Sequence, residues 1–193
     1  MNRQSVGFVS IGRSIFPVIK TADDSQIQRA IQRSNPLITS EISEGLVVCY
    51  VRETADNLEL VTEAHLGPFL MSREDIIKAA KRNLAERAKE SMRTRTMNPD
   101  NPFYRGILDK KFDSSLMVID EFWEIATDFV KSEKLAVSIP ARNIILFSSP
   151  EVVESFEAMR LAASTFYEES IKDELQLTEN IYIRENGKWT SLK

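Results

Sequence analysis

Five side chains have the type and placement to do chemistry: Asn83, Asp113, Ser115, Arg142 and Asn143. Arg142-Asn143 lies in Pro140-Ala141-Arg142-Asn143, between the apolar runs Leu135–Ile139 and Ile144–Phe147. Two central strands joined by a tight turn would hold these side chains on a rigid scaffold. A guanidinium there could clamp a carboxylate or phosphate in bidentate geometry, with Asn143 fixing the ligand. The internal alternative pairs Arg142 with a nearby acid and has Asn143 supply turn chemistry at positive φ. Asp113 and Ser115 could serve as acid and nucleophile, but Ser115 has no evident histidine or lysine base. Capping of the helix that follows is enough to explain Asp-x-Ser. Asn83, beside the apolar stripe of a helix, could face a cleft or bond loop backbone.

Other groups are less telling. Cys49 and His65 could form a thiol–imidazole pair, yet Cys49 alternates within a valine-rich strand and reads as a small core residue. Lys78, Lys81, Arg82, Arg87, Lys89, Arg93 and Arg95 form the chain's basic concentration, offset by Glu74, Asp75, Glu86 and Glu90. They read as a solvated helix face running into a loop, with anion contact as the alternative.

Composition narrows the classes. One cysteine and one histidine exclude an intramolecular disulfide and an ordinary zinc site. None of the six glycines falls in a GxGxxG or GKS/T context, and no cofactor is expected. With a net charge of −4, nucleic acid is not the expected partner; a protein or a small anionic ligand is. Gly12-Arg13-Ser14 interrupts the mildly apolar start before a signal-type core can form, and no apolar run reaches membrane-span length. A cytoplasmic location without membrane attachment is the expectation. Oligomeric state is not fixed by the sequence.

The elements that must position these residues follow from periodicity and punctuation. Val6–Ile11 and Ile15–Lys20 read as strands, the second at a sheet edge because of Pro17. A helix start at Thr21–Ser25 leads to Ile27, Ala30 and Ile31 and ends at Asn35-Pro36. Leu46–Arg52 and Leu58–Thr62 read as a hairpin, then a single helical turn is broken by Gly67-Pro68. Ser72 and Asp75 open a helix with Ile76, Ile77, Ala80, Leu84 and Ala88 on one face. Two Asn/Asp-Pro steps make 91–105 a mobile loop. A buried helix over 116–130 follows Asp113. Ser149-Pro150-Glu151 starts a last helix striped by Val152, Phe156, Met159, Ala163 and Phe166. Asn186-Gly187 marks a C-terminal β-hairpin. The expected class is α+β: one domain over 1–193, a mixed or antiparallel sheet, and three main helices largely on one face.

Several collinear islands resemble the YtpQ-like family of bacterial proteins. They are IFPVIK at Ile15–Lys20, Pro36-Leu37, LVVCYV at Leu46–Val51 and LELVTEAHL at Leu58–Leu66. Ala80–Leu84, FDSSLM at Phe112–Met117 and VSIPARNIILF at Val137–Phe147 continue the series. Asn143 stands where that family usually has Asp, and His65 where many members have an acid. Longer members also carry an N-terminal extension. The resemblance implies a fold and candidate positions, but no activity.

Overall fold

A computed structural model describes residues 11–192. The expected strand Val6–Ile11 lies almost wholly outside these residues; Ile11 itself is helical. The contacts cluster into two compact units, one running to residue 41 with 45–86, the other 42–44 with 87 onward. No helix among the described residues is long and apolar enough to cross a membrane.

In the first unit, β1 (Ile15–Thr21) leads through α1 (Ser25–Gln32) to β2 (Thr39–Ser43), β3 (Leu46–Glu53) and β4 (Leu58–Leu60). Asp24 caps α1 by accepting from the Gln26 N–H at 2.8 Å and also pairs with buried Lys20 at 2.7 Å. β3 is central and antiparallel to β1 and to β4, from Ile15 opposite Arg52 to Thr21 opposite Leu46 along β1. Pro17 therefore sits at an edge, where a missing N–H costs no ladder bond. Gly67-Pro68 does not stop the chain: a 3₁₀ turn over Glu63–His65 passes into α2 (Leu66–Phe69), where proline needs no partner in the first turn. α3 (Arg73–Ser91) starts behind the Ser72–Asp75 capping box and buries Ile76, Ala80, Leu84 and Ala88.

In the second unit, 91–105 is not the loop expected. It holds β5 (Arg93–Thr96) and begins β6 (Tyr104–Ile107), with Thr96 opposite Tyr104. The prolines fall between the strands, where Asn98 Oδ1 accepts from the Asp100 N–H at 3.1 Å, so they punctuate a hairpin. The helix expected over 116–130 is broken as well. Ser114–Val118 is 3₁₀, Ile119 is extended (φ −114°, ψ 129°), and α4 spans Asp120–Val130. The break leaves the Met117 carbonyl free to accept from Trp123 Nε1 at 3.0 Å.

β7 (Leu135–Ala141) and β8 (Ile144–Ser148) follow and are buried throughout. α5 (Val153–Ser170) starts three residues later than Pro150 implied, because Ser149 Oγ accepts from Glu151 N–H in a preceding turn. β9 (Ile181–Glu185) and β10 (Lys188–Leu192) close the expected hairpin, with Asn186 and Gly187 at φ 51° and 72°. The sheet order is β10-β9-β7-β8-β6-β5, with every pairing antiparallel.

The fold is thus α+β with antiparallel sheets, as expected. The helices of this unit, however, do not share a face. Met159 and Ala163 of α5 pack with Ala136, Leu146, Ile181 and Ile183. Phe122 of α4 meets Phe147 edge-on at 5.4 Å, on the alternate residues of the same strands. Continuous apolar runs at β7 and β8 require cover on both faces.

Gly106 is where α4 closes on the sheet: an added Cβ would lie 2.9 Å from Phe122 and from Ile145 Cγ2. Gly106→Ala is expected to lower stability by about 1–3 kcal/mol in urea unfolding, because buried neighbours must yield. An unchanged midpoint would contradict this packing.

Candidate functional site

Four of the five candidates belong to the second unit, and three elements bring them together. Asp113 follows β6, Ser115 lies in the 3₁₀ turn, and Arg142 and Asn143 form the β7–β8 turn, where Ala141 pairs with Ile144. The Ser114 N–H donates to the Arg142 carbonyl at 3.3 Å, tying the turn to the 3₁₀ segment. Between them stands Arg105 of β6, which sequence reasoning did not select. Its Nη2 donates to the Asn143 carbonyl at 3.1 Å and lies 3.8 Å from Asp113 Oδ2.

Asp113 does not cap the following helix; its own backbone is already helical and its side chain turns back. Oδ1 accepts from the N–H groups of Leu108, Asp109 and Lys110 at 2.9, 3.1 and 2.9 Å. Asp109 repeats the device one step out, accepting from Lys111 and Phe112 N–H at 3.0 Å each and pairing with Arg87 at 3.0 Å. Lys110 takes positive φ (66°) inside this tight coil. The carboxylate is fully buried, and burial without partners would be costly for a charge. Three N–H dipoles and one nearby guanidinium offset that cost. Among the described residues, Asp113 Oδ2 and Arg105 Nε have no hydrogen-bond partner.

Arg142 has an internal partner, but it is not the acid expected. Its Nη2 donates to the Glu174 carbonyl, and its backbone N–H donates to the Leu175 carbonyl at 2.9 Å. Glu174 has φ 54° in the segment that ends α5, so Arg142 pins that end to the sheet. Pro140, with no N–H to give, accepts at its carbonyl from Leu177 N–H at 2.9 Å. Asn143 does not adopt positive φ; it is the carbonyl of this residue that is used. Ser115 is buried, and its N–H donates to Phe112 O at 3.0 Å.

Asn83 belongs to the first unit. Both protons of its buried amide are given to backbone, to Gly12 O at 2.7 Å and Ile15 O at 2.8 Å. It also lines a cleft of about 740 Å³ with Arg13, Leu70, Lys78 and Arg82, its donors already committed.

Cys49 and His65 are engaged separately. His65 Nδ1 accepts from Thr62 N–H at 3.0 Å, while the ring packs on Phe69. Cys49 packs with Ile27 and Leu37. Burial pushes its thiol up to about 12, the Lys20 charge opposing only in part.

Arg105 was hidden because its strand is four residues long and follows two prolines. Asp109, four residues ahead of Asp113, was an available signal, since short acids that gather N–H groups nucleate tight coils. The chain matches no family model, no curated protein and no solved structure.

Asp113→Ala strands three N–H groups and is expected to cost about 3 kcal/mol or more, where loss of a helix cap would cost about 1. Asp113→Asn keeps an acceptor and should lose less. Equal, small losses in denaturant melts would contradict the three-fold acceptor role. Cys49 should resist alkylation at neutral pH until the protein unfolds, since the thiolate is the reactive form. Labelling of the native protein at a free-thiol rate would refute that.

Proposed function

We propose that this protein is a binding or protein-interaction module acting in the bacterial cytoplasm, without chemistry of its own. The observation that carries the reading is where the candidate groups are spent. Asp113 holds three backbone N–H groups, Arg142 holds the Glu174 carbonyl, and Asn83 holds the carbonyls of Gly12 and Ile15. Side chains tied into backbone in this way set the shape of loops and are not available to move protons or attack a substrate. A protein or a small anionic ligand remains the partner of choice. The resemblance to the YtpQ-like proteins belongs to the same proposal and rests on the sequence islands.

One observation favours a second reading, a small hydrolase or transferase working around Asp113 and Arg142. Asp113 Oδ2 and Arg105 Nε are both unbonded on groups 3.8 Å apart at their nearest recorded atoms, and an acid and a cation so placed could act on a carboxylate or phosphate ester.

The two readings separate on Arg142→Ala, assayed for melting temperature and for turnover of a panel of aryl esters and phosphate esters. The module reading expects a lowered melting temperature, partly recovered in Arg142→Lys, and no turnover by any form. Turnover by wild type that disappears in an Arg142→Ala variant melting like wild type would overturn it.

A further inference from the structure

The six-stranded sheet ends on two strands of different character. β5 carries two exposed arginines, Arg93 and Arg95, within four residues, a common way to keep an edge unpaired. β10 carries a single charge, Lys188, at its turn end. Its ladder with β9 is regular over five residue pairs, from Lys188 opposite Glu185 to Leu192 opposite Ile181. It has no proline and no bulge, and among the described residues nothing pairs with its outer edge. Alternation places Trp189 on the α4 side, edge-on to Trp123 at 5.0 Å, and Lys188, Thr190 and Leu192 on the α5 side.

The α5 side of this edge holds a groove of about 480 Å³, lined by Leu161, Ile181 and Leu192 with Glu179 and Arg160 at its rim. Leu161 is 72% exposed and Leu192 46%, so two leucines flank one opening. Arg160 is held by Glu157 at 2.7 Å. Glu179 has no ion-pair partner among the described residues, and neither does Lys188. The groove therefore asks for an apolar stem ending in a cation, and the strand that forms it carries one.

We propose that β10 pairs antiparallel with β10 of a second copy, about a two-fold axis at Thr190. In that register Lys188 of each copy stands opposite Leu192 of the other. Its methylenes lie over Leu192 and Leu161 while its ammonium reaches Glu179. The contact is isologous, so it is made twice and closes, giving a continuous twelve-stranded sheet by doubling the six. This pairing rests on reading the protein as an interaction module and names its partner.

Sedimentation velocity on the full chain across the micromolar range tests it. A dimer is expected. Lys188→Glu and Glu179→Lys should each raise the dissociation constant by about tenfold or more, and the double exchange should restore it. Ser191→Pro, which removes an N–H that alternation turns to the free edge, should give monomer, with circular dichroism and melting confirming that each variant is folded. A monomer at all concentrations overturns the pairing, and so does a dimer indifferent to Lys188→Glu and Ser191→Pro. Neither outcome bears on the turnover assay, which alone decides between module and enzyme.

Discussion

The Asp113 carboxylate is the constraint from which the arrangement of the second unit follows. After β6 the chain must reverse within a few residues and pass beneath a sheet whose middle strands are buried on both faces. One oxygen that accepts three successive N–H groups makes that reversal, because it satisfies donors that no ladder or helix can reach. The 3₁₀ turn then starts at Ser114, close enough to bond the Arg142 carbonyl, and the β7–β8 turn is fixed from below. Arg105 closes the circuit by holding Asn143 and facing the same carboxylate. An ion pair with one partner fully buried adds little net stability by itself. Its value lies in the geometry: removing either partner leaves a buried charge or a set of buried donors unmatched.

The same logic runs outward through the unit. Arg142, through its bond to the Glu174 carbonyl, fastens the end of α5 to the end of β7. Pro140 disturbs the β7–β8 register between Ser138 and Ala141, and the strip Leu175–Leu177 takes up the backbone groups exposed there. Side chains that look catalytic by type therefore act as staples between sheet, coil and helix. In the first unit Asn83 does the same for the segment leading into β1.

Much of the fold was legible because it rests on local rules. Asn186-Gly187 demanded a two-residue hairpin, and the β-branched runs on either side of Pro140–Asn143 demanded buried strands. Pro17 marked an edge, and the stripe from Ile76 to Ala88 marked a helix. What escaped depends on long-range partners. β5 and β6 have almost no apolar alternation, and β6 is held in place by β8, forty residues on in sequence. Asp113 preceding a helical stretch looks the same whether its side chain points forward to cap or backward to gather a coil. Only the positions of Leu108, Asp109 and Lys110 decide that. Three of the five candidate side chains, Asn83, Asp113 and Arg142, are constraints on the fold, but their type said nothing of whether their partner was a substrate or the chain itself.

The amides of Leu108, Asp109 and Lys110 report on this account without any substitution. If the Asp113 carboxylate holds the coil, their native-state hydrogen exchange should be slowed to the level of the β7 and β8 ladder amides, opening only when the second unit unfolds. Exchange at the rate of an exposed loop, with β7 and β8 still protected, would contradict it and return Asp113 to the pool of groups free to meet a ligand.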